Sequence, residues 1–408
     1  MKKFFASLPG VGRSGGILEV GEKWRLVRMF LQTDILSPQS AARYLPHIVE
    51  AVPFISRGIP DRNPNDFMSF LNRASFDMFY PVLLGQFVHL TDPEIESKPE
   101  DVVFCESVAR ALKLNNRLTH SLVQKLARDV GYETALYREF ATNWRQAIDV
   151  AVEKVQRLRE KKQAGELTPF EEDSYWNQSH LRRINENSDL TEQEVDYICY
   201  IMLSAAVDTT SGKTAWHIMH AALSEEAQEK LRTEVLENVS QTDGKLHPDH
   251  LSSTNAPYMH AFLRESHRLT NPSNLVPMRK IASELEVHGV TFPAGTMFAF
   301  DSISKSMSLV DDPEDFRPER WFPDAVQARK GAPAEALDHP LFGSPIGQGA
   351  RRCPGSRVAR NESMALLAQL VLGWNISIPG YSHRREIPYE LMTVTAPRLP
   401  PLEFVPRQ

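Results

Sequence analysis

The sequence predicts a mainly α protein with a minor β-sheet region. Three observations carry that prediction. Apolar residues recur at helical spacing through long stretches of residues 24–269. After Pro272 the texture changes to short β-like pieces divided by glycine and proline. One last amphipathic helix then precedes a short β-like tail.

Taken in order, the spacing predicts helices over residues 24–35, 135–161, 191–222 and 225–239. Thr191 and Glu194 form a capping-box start for the third. The charged stretch 153–162, with its tail to Asp173, reads as a solvated helix end and loop. The β-like pieces are 276–281, 286–292 and 296–300, set apart by Gly289 and by the turn Pro293-Ala294-Gly295, and they predict one small sheet. Irregular, proline-rich chain fills 313–354, and the last helix runs over 356–372.

Composition narrows the function. Of 408 residues, 42% are apolar, 9% aromatic and 24% charged, which predicts a packed core. A net charge of -6 supplies no basic field for phosphates, so nucleic acid is excluded as the main partner. Cys105, Cys199 and Cys353 are too few and too scattered for a disulfide framework or a four-cysteine zinc site, which fits a reducing compartment. Cys105 and Cys199 read as small buried hydrophobes. No run approaches the roughly 20 apolar residues of a membrane span, residues 197–207 being the longest. The first 18 residues carry Lys2, Lys3 and Arg13 without an acid. Residues 4–8 are too short for a signal-peptide core, so this start reads as a surface lead-in.

Residues 342–355 crowd Gly343, Gly347, Gly349 and Gly355 around Cys353, just before the last helix. Glycine permits positive φ and close approach of backbone to a flat ligand, and Pro354 suits the first helical position. A thiolate at a helix N-terminus is stabilised by the dipole and by backbone N–H groups. A phosphate cradle is the competing reading. It fails because Gly347-x-Gly349-x-x-Arg352 lacks the third glycine and no Gly-Lys-Ser/Thr follows.

The run Gly349-Ala350-Arg351-Arg352-Cys353-Pro354-Gly355 resembles the haem-binding loop Phe-x-x-Gly-x-Arg-x-Cys-x-Gly of the cytochrome P450 family, with Ile346 in the place of the usual Phe. The resemblance implies a single domain over 1–408 with the P450 fold. It also implies haem b (iron protoporphyrin IX) ligated by Cys353, with Ile346, Gly347 and Gly355 beside it. Ile346 removes an aromatic shield from the thiolate.

Further motifs follow in the family's order. Glu265-Ser266-His267-Arg268 resembles its Glu-x-x-Arg helix and 316–321 its Pro-Glu-Arg-Phe segment, with Trp321 last. Spacing i, i+3 puts Glu265 and Arg268 on one face, where Arg320 completes a charged cluster. Residues 205–210 resemble the oxygen-binding segment, with Ala206 where the family has Gly. There the resemblance makes Asp208 the general acid and Thr209 its partner. Thr209 is expected to bond a preceding carbonyl and distort the helix. Trp24 and Arg28 resemble the Trp-x-x-x-Arg helix that binds a haem propionate, with Arg351 and Arg279 as further propionate partners. His217 and His220 are i, i+3 neighbours, but no third metal ligand is evident.

The resemblance implies a monooxygenase that inserts one atom of O2 into a lipophilic molecule of sterol, fatty-acid or terpenoid class. Met202, Leu203, Leu275, Val276, Met392 and Val394 resemble pocket-lining positions. The electron donor is a ferredoxin or a flavoprotein reductase. Arg352, Arg357 and Arg360 form a patch resembling the ferredoxin-facing side of the mitochondrial branch. The family suggests a membrane-associated, mitochondrial or endoplasmic-reticulum location. Its Trp-x-x-x-Arg helix normally follows an anchor, early helices and two strands, so the chain reads as N-terminally short, with an open sheet edge. Two other readings stay open: a haem enzyme that rearranges peroxides, and a haem binder without turnover.

Overall fold

Side-chain caps fix where several of the helices begin. The computed structural model describes residues 20–63, 65–270, 279–298, 302–343, 346–390 and 396–407. The helices in order are α1 (Glu22–Thr33), α2 (Pro38–Arg57), α3 (Phe67–Leu84), α4 (Pro99–His120), α5 (Leu122–Asp129), α6 (Ala135–Ala164), α7 (Pro169–Asp173), α8 (Tyr175–Asn185), α9 (Glu192–Leu223), α10 (Glu225–Ser240), α11 (Pro257–Leu269), α12 (Ser302–Met307), α13 (Pro323–Ala328), α14 (Pro340–Gly343) and α15 (Ser356–Gly373). Ser37, Asp66, Thr134 and Ser224 accept a backbone N–H at the starts of α2, α3, α6 and α10. At α9 the capping box is complete: the Glu194 N–H donates to Thr191 Oγ1 at 3.2 Å and the Thr191 N–H to Glu194 Oε2 at 2.8 Å.

α9 spans 32 residues and is buried on almost every side, as expected of a helix that runs through a core rather than along it. It packs against α3, α4, α6, α8, α10, α11 and α15. Around it lies the main apolar core, with Leu31, Ile55, Phe76, Trp176, Phe262 and Leu367 fully enclosed. Gly85 ends α3 at φ +72, and a Cβ there would lie 2.3 Å from the Phe170 carbonyl oxygen, so only glycine lets α3 and α7 approach.

Instead of one sheet, the described residues form four antiparallel pairs. These are β1 (Arg279–Lys280) with β4 (Met297–Phe298), β2 (Leu285–Val287) with β3 (Val290–Phe292), β5 (Trp374–Ser377) with β8 (Glu403–Pro406), and β6 (Tyr389–Glu390) with β7 (Ala396–Pro397). The piece predicted over 286–292 folds back on itself. His288 and Gly289 take φ of 51 and 77, a two-residue hairpin turn, and Val287 faces Val290. The charged stretch is only partly solvated: Lys154 is buried on Asp101 at 2.5 Å, and Glu171 is buried beneath Lys161 at 2.8 Å. The lead-in 1–18 lies outside the described residues. Among the described residues no helix is long and apolar enough to cross a membrane.

Candidate active site

Backbone conformation brings Cys353 to the head of α15. Gly347 and Gly349 sit at φ +80 and +73, which lets residues 346–352 turn tightly. The Cys353 N–H donates to the Ile346 carbonyl at 3.0 Å and closes the loop. Pro354 lies in the turn rather than at the first helical position, because Gly355 is the N-cap and α15 starts at Ser356. Gly355 has φ -80, so it is not there for a left-handed turn; a Cβ on it would project into empty space. Burial pushes the Cys353 thiol up, and the Gly355 N–H, Arg28 and Arg352 only partly offset this. The thiolate expected from the helix start alone is therefore not the favoured form; a metal ion deprotonates a coordinating thiol outright.

Across from Cys353 stands α9. Ala205, Ala206, Thr209 and Thr210 on α9, with Leu31, Phe79, Met202 and Val358, wall an apolar slot that also takes in Cys353 and Gly355. The slot encloses about 160 Å³. Thr209 Oγ1 donates to the Ala205 carbonyl at 2.8 Å, the bond expected of it, and α9 continues through this point. Asp208 is held next to Thr209 but is not among the lining residues, and burial raises its carboxyl above the ordinary range.

Glu362 on α15 also lines the slot, where the sequence read it only as the end of Arg357-x-Ala359-x-x-Glu362. It is 1% exposed, accepts from Thr210 Oγ1 at 3.2 Å, and burial drives its carboxyl to about 8. The signal was present as the acid nine residues after Cys353, but its partner lies 152 residues away.

Arg28, whose charge is felt by Cys353, is 7% exposed. Burial lowers its tendency to hold charge; Cys353 opposes that fall, whereas the nearby Arg351 and Arg352 add to it. Arg28 Nε donates to Gln32 at 3.0 Å, and the Arg351 guanidinium lies 4.2 Å from the Trp24 ring centre. Arg279 is exposed on β1, opposite Phe298.

Behind the site, Glu265 on α11 is fully buried and binds Arg268 twice, at 2.7 and 2.9 Å. Arg320 approaches Glu265 to 3.3 Å. Two donors were not foreseen: Trp321 Nε1 at 2.9 Å and the Arg317 N–H at 3.1 Å. The indole N–H is the gain from Trp standing where the family has Phe.

A flat, metal-bearing, anionic group fits these residues. The slot takes in both the Cys353 thiol and the Thr209 hydroxyl, a Cβ on Gly355 would meet nothing, and Arg28, Arg351 and Arg352 supply positive charge near the thiol. Arg352 Nε, Ser356 Oγ and Glu362 Oε1 are buried with no hydrogen-bond partner among the described residues. The sequence profile of the cytochrome P450 family matches residues 2–403.

The chain belongs to the cytochrome P450 family. With membership of these haem-thiolate monooxygenases come a haem-iron cofactor, dioxygen, a lipophilic substrate and a redox partner. The chain is 29% identical over 388 residues to the mitochondrial sterol 26-hydroxylase of Mus musculus, covering 90% of this chain and 68% of that protein. For the sterol 26-hydroxylase of Homo sapiens the identity is 27% over 379 residues, covering 87% and 66%. A probable mitochondrial cytochrome P450 12a5 of Drosophila melanogaster is 23% identical over 416 residues, covering 98% and 73%. The chain thus spans about two thirds of the length of the two sterol hydroxylases.

Other P450 expectations are redistributed. Met202 lines the slot, but Leu203 is 1% exposed within the apolar core, since neighbours on a helix point about 100° apart. Leu275, Val276, Met392 and Val394 lie outside the described residues. In the basic patch, Arg357 donates to the Leu36 carbonyl at 2.9 Å and Arg360 bonds His260 Nδ1, so both also serve internal contacts.

Proposed function

We propose that this chain is a haem b monooxygenase of one domain that inserts one oxygen atom from O2 into a lipophilic substrate of the sterol class. The observation that carries the reading is the apolar slot with Cys353 on one wall and Thr209 on the other. Cysteine-ligated haem, when bound, supplies reductive activation of dioxygen. Cys353 supplies the sulfur ligand, with Ile346, Gly347 and Gly355 shaping the loop around it. Arg28 and Arg351, with Trp24 bracing Arg351, would meet the carboxylates of the group, and the family resemblance alone adds Arg279 as a third such partner. Glu265, Arg268 and Arg320 hold the scaffold behind.

Met202 and Ala206 offer an apolar surface for substrate. Thr209 holds its hydroxyl at the slot, and Asp208, whose carboxyl burial pushes above its ordinary range, is the neighbouring acid for proton delivery. The sterol class and a ferredoxin donor are supported by the relatives named mitochondrial sterol 26-hydroxylase.

The test is to load the protein with haem, reduce it and add carbon monoxide. A thiolate-type Soret band is expected, abolished in Cys353→Ala, together with reductant-driven hydroxylation of a sterol. A band without turnover would reduce the chain to a haem binder; turnover with peroxide alone would favour rearrangement chemistry; and no band would sink the proposal.

A further inference from the structure

α1 ends against its own dipole. Its last turn holds no basic residue, and the acid Asp34 stands as its C-cap, where the helix dipole is negative. α8 supplies what α1 lacks. Arg182 Nε donates to Asp34 Oδ2 at 2.7 Å, and the Ser179 hydroxyl donates to the same oxygen at 3.4 Å. Arg182 Nη2 donates to the Phe30 carbonyl and the Tyr175 hydroxyl to the Leu31 carbonyl at 3.3 Å. These are two of the four carbonyls that a helix ending at Thr33 leaves without an intrahelical donor. Tyr175, Ser179 and Arg182 stand at i, i+4 and i+7, one stripe of α8.

Arg182 differs from an exposed ion pair, which would be worth little. Its side chain is 12% exposed, its guanidinium lies 3.9 Å from the Phe30 ring centre, and its remaining nitrogen, Nη1, bonds Glu186 at 3.3 Å. A planar fork with all three nitrogens bonded fixes direction as well as charge. Direction matters for α1. Val27, Phe30 and Leu31, with Ile35 just past the helix end, are buried and decide which face is covered. Apolar burial is non-directional, however, and does not fix how far the helix slides along its axis.

The site depends on that register. Leu31 and Ile35 wall the slot, and Gln32, in the turn that Arg182 grips, accepts from Arg28 Nε at 3.0 Å. Arg182 is not among the residues that line the slot, and its bonds outside α8 go to α1 among the described residues. We infer that Arg182 is a positioning residue: by clamping the last turn of α1 it sets where Arg28 presents its charge to the carboxylates of bound haem. The inference rests on Arg28 being a partner of those carboxylates.

The experiment uses the haem-loaded full chain and two measurements that need no turnover. The first is amide hydrogen exchange of α1, with α11 as the internal reference. Arg182→Met should speed exchange in α1 and leave α11 unchanged, and Arg182→Lys should fall between Met and the unsubstituted chain, because it keeps the charge and loses the fork. The second is the rate at which haem is lost to an excess of apomyoglobin. Arg28→Gln should speed that loss by about tenfold, as for one hydrogen bond to a charged group, and Arg182→Met by about fivefold, because Arg28 is displaced rather than removed. The double variant should lose haem at close to the rate of Arg28→Gln alone, since Arg182 acts through Arg28. Unchanged exchange in α1, equal loosening of α1 and α11, or two effects on haem loss that multiply in the double variant would each overturn the inference. Unchanged haem loss in Arg28→Gln, with α1 still loosened by Arg182→Met, would instead overturn it through the reading beneath it, so the two failures give different results.

Discussion

Two buried polar clusters share α11 and are finished differently. On one side Glu265 is saturated: both oxygens are taken by Arg268, Arg320, Trp321 and the Arg317 N–H. On the other side His267 faces His217, and their ring nitrogens include several with no protein partner. The Glu265 carboxylate is bonded on both oxygens by groups of the chain itself, whereas several ring nitrogens of the histidine cluster find no partner among the described residues.

The largest test of that contrast removes the acid from the closed side. Glu265→Ala strands Arg268 and Arg320 in the interior and should cost about 3–5 kcal/mol, read as a lower urea midpoint. An unmoved midpoint would erase the distinction. Trp321→Phe removes one buried donor from the same carboxylate and should cost about 1–3 kcal/mol in the same assay.

Acid acts on the open side. His217, His220 and His267 are pushed below their usual 6.5 in the folded chain, so the unfolded chain binds protons first. Their contribution is whole above pH 6.5 and is lost as pH falls below it, by up to about 1.4 kcal/mol per pH unit for each ring. Glu362 runs the other way. Its carboxyl is raised from 4.5 to about 8, so stability is lost as pH rises between those values, and Glu362→Gln should flatten that limb of a denaturation-against-pH curve. The smallest effect belongs to His217→Leu at pH 8, where no charge is at stake. Stability should stay within about 1 kcal/mol, because an apolar group of similar bulk replaces an unpaired one.

Much of this was legible in the sequence because it is local. The helical period of α9, the Thr191–Glu194 box and the glycines before Cys353 act within a few residues of one another. So does the i, i+3 pair of Glu265 and Arg268, and a linear pattern suffices to place it. What was not legible depends on long-range contact. Nothing near Glu362 predicts Thr210 as its partner, and nothing near Trp321 predicts a hydrogen bond to Glu265, 56 residues earlier. Leu203 was assigned to the pocket because apolar identity does not reveal which way a helix faces. Residues 286–292 were read as one extended piece because Gly289 was taken as a divider, not as half of a reversal.

Trp321 has a use beyond holding a carboxylate. Its indole is 7% exposed, lies 4.1 Å beneath the Arg264 guanidinium and 5.3 Å from that of Arg329, and comes from a different stretch of chain than α11. Its emission should therefore report whether these two stretches have docked, which equips the chain with an intrinsic optical gauge of its own assembly, to be isolated as the difference signal against Trp321→Phe.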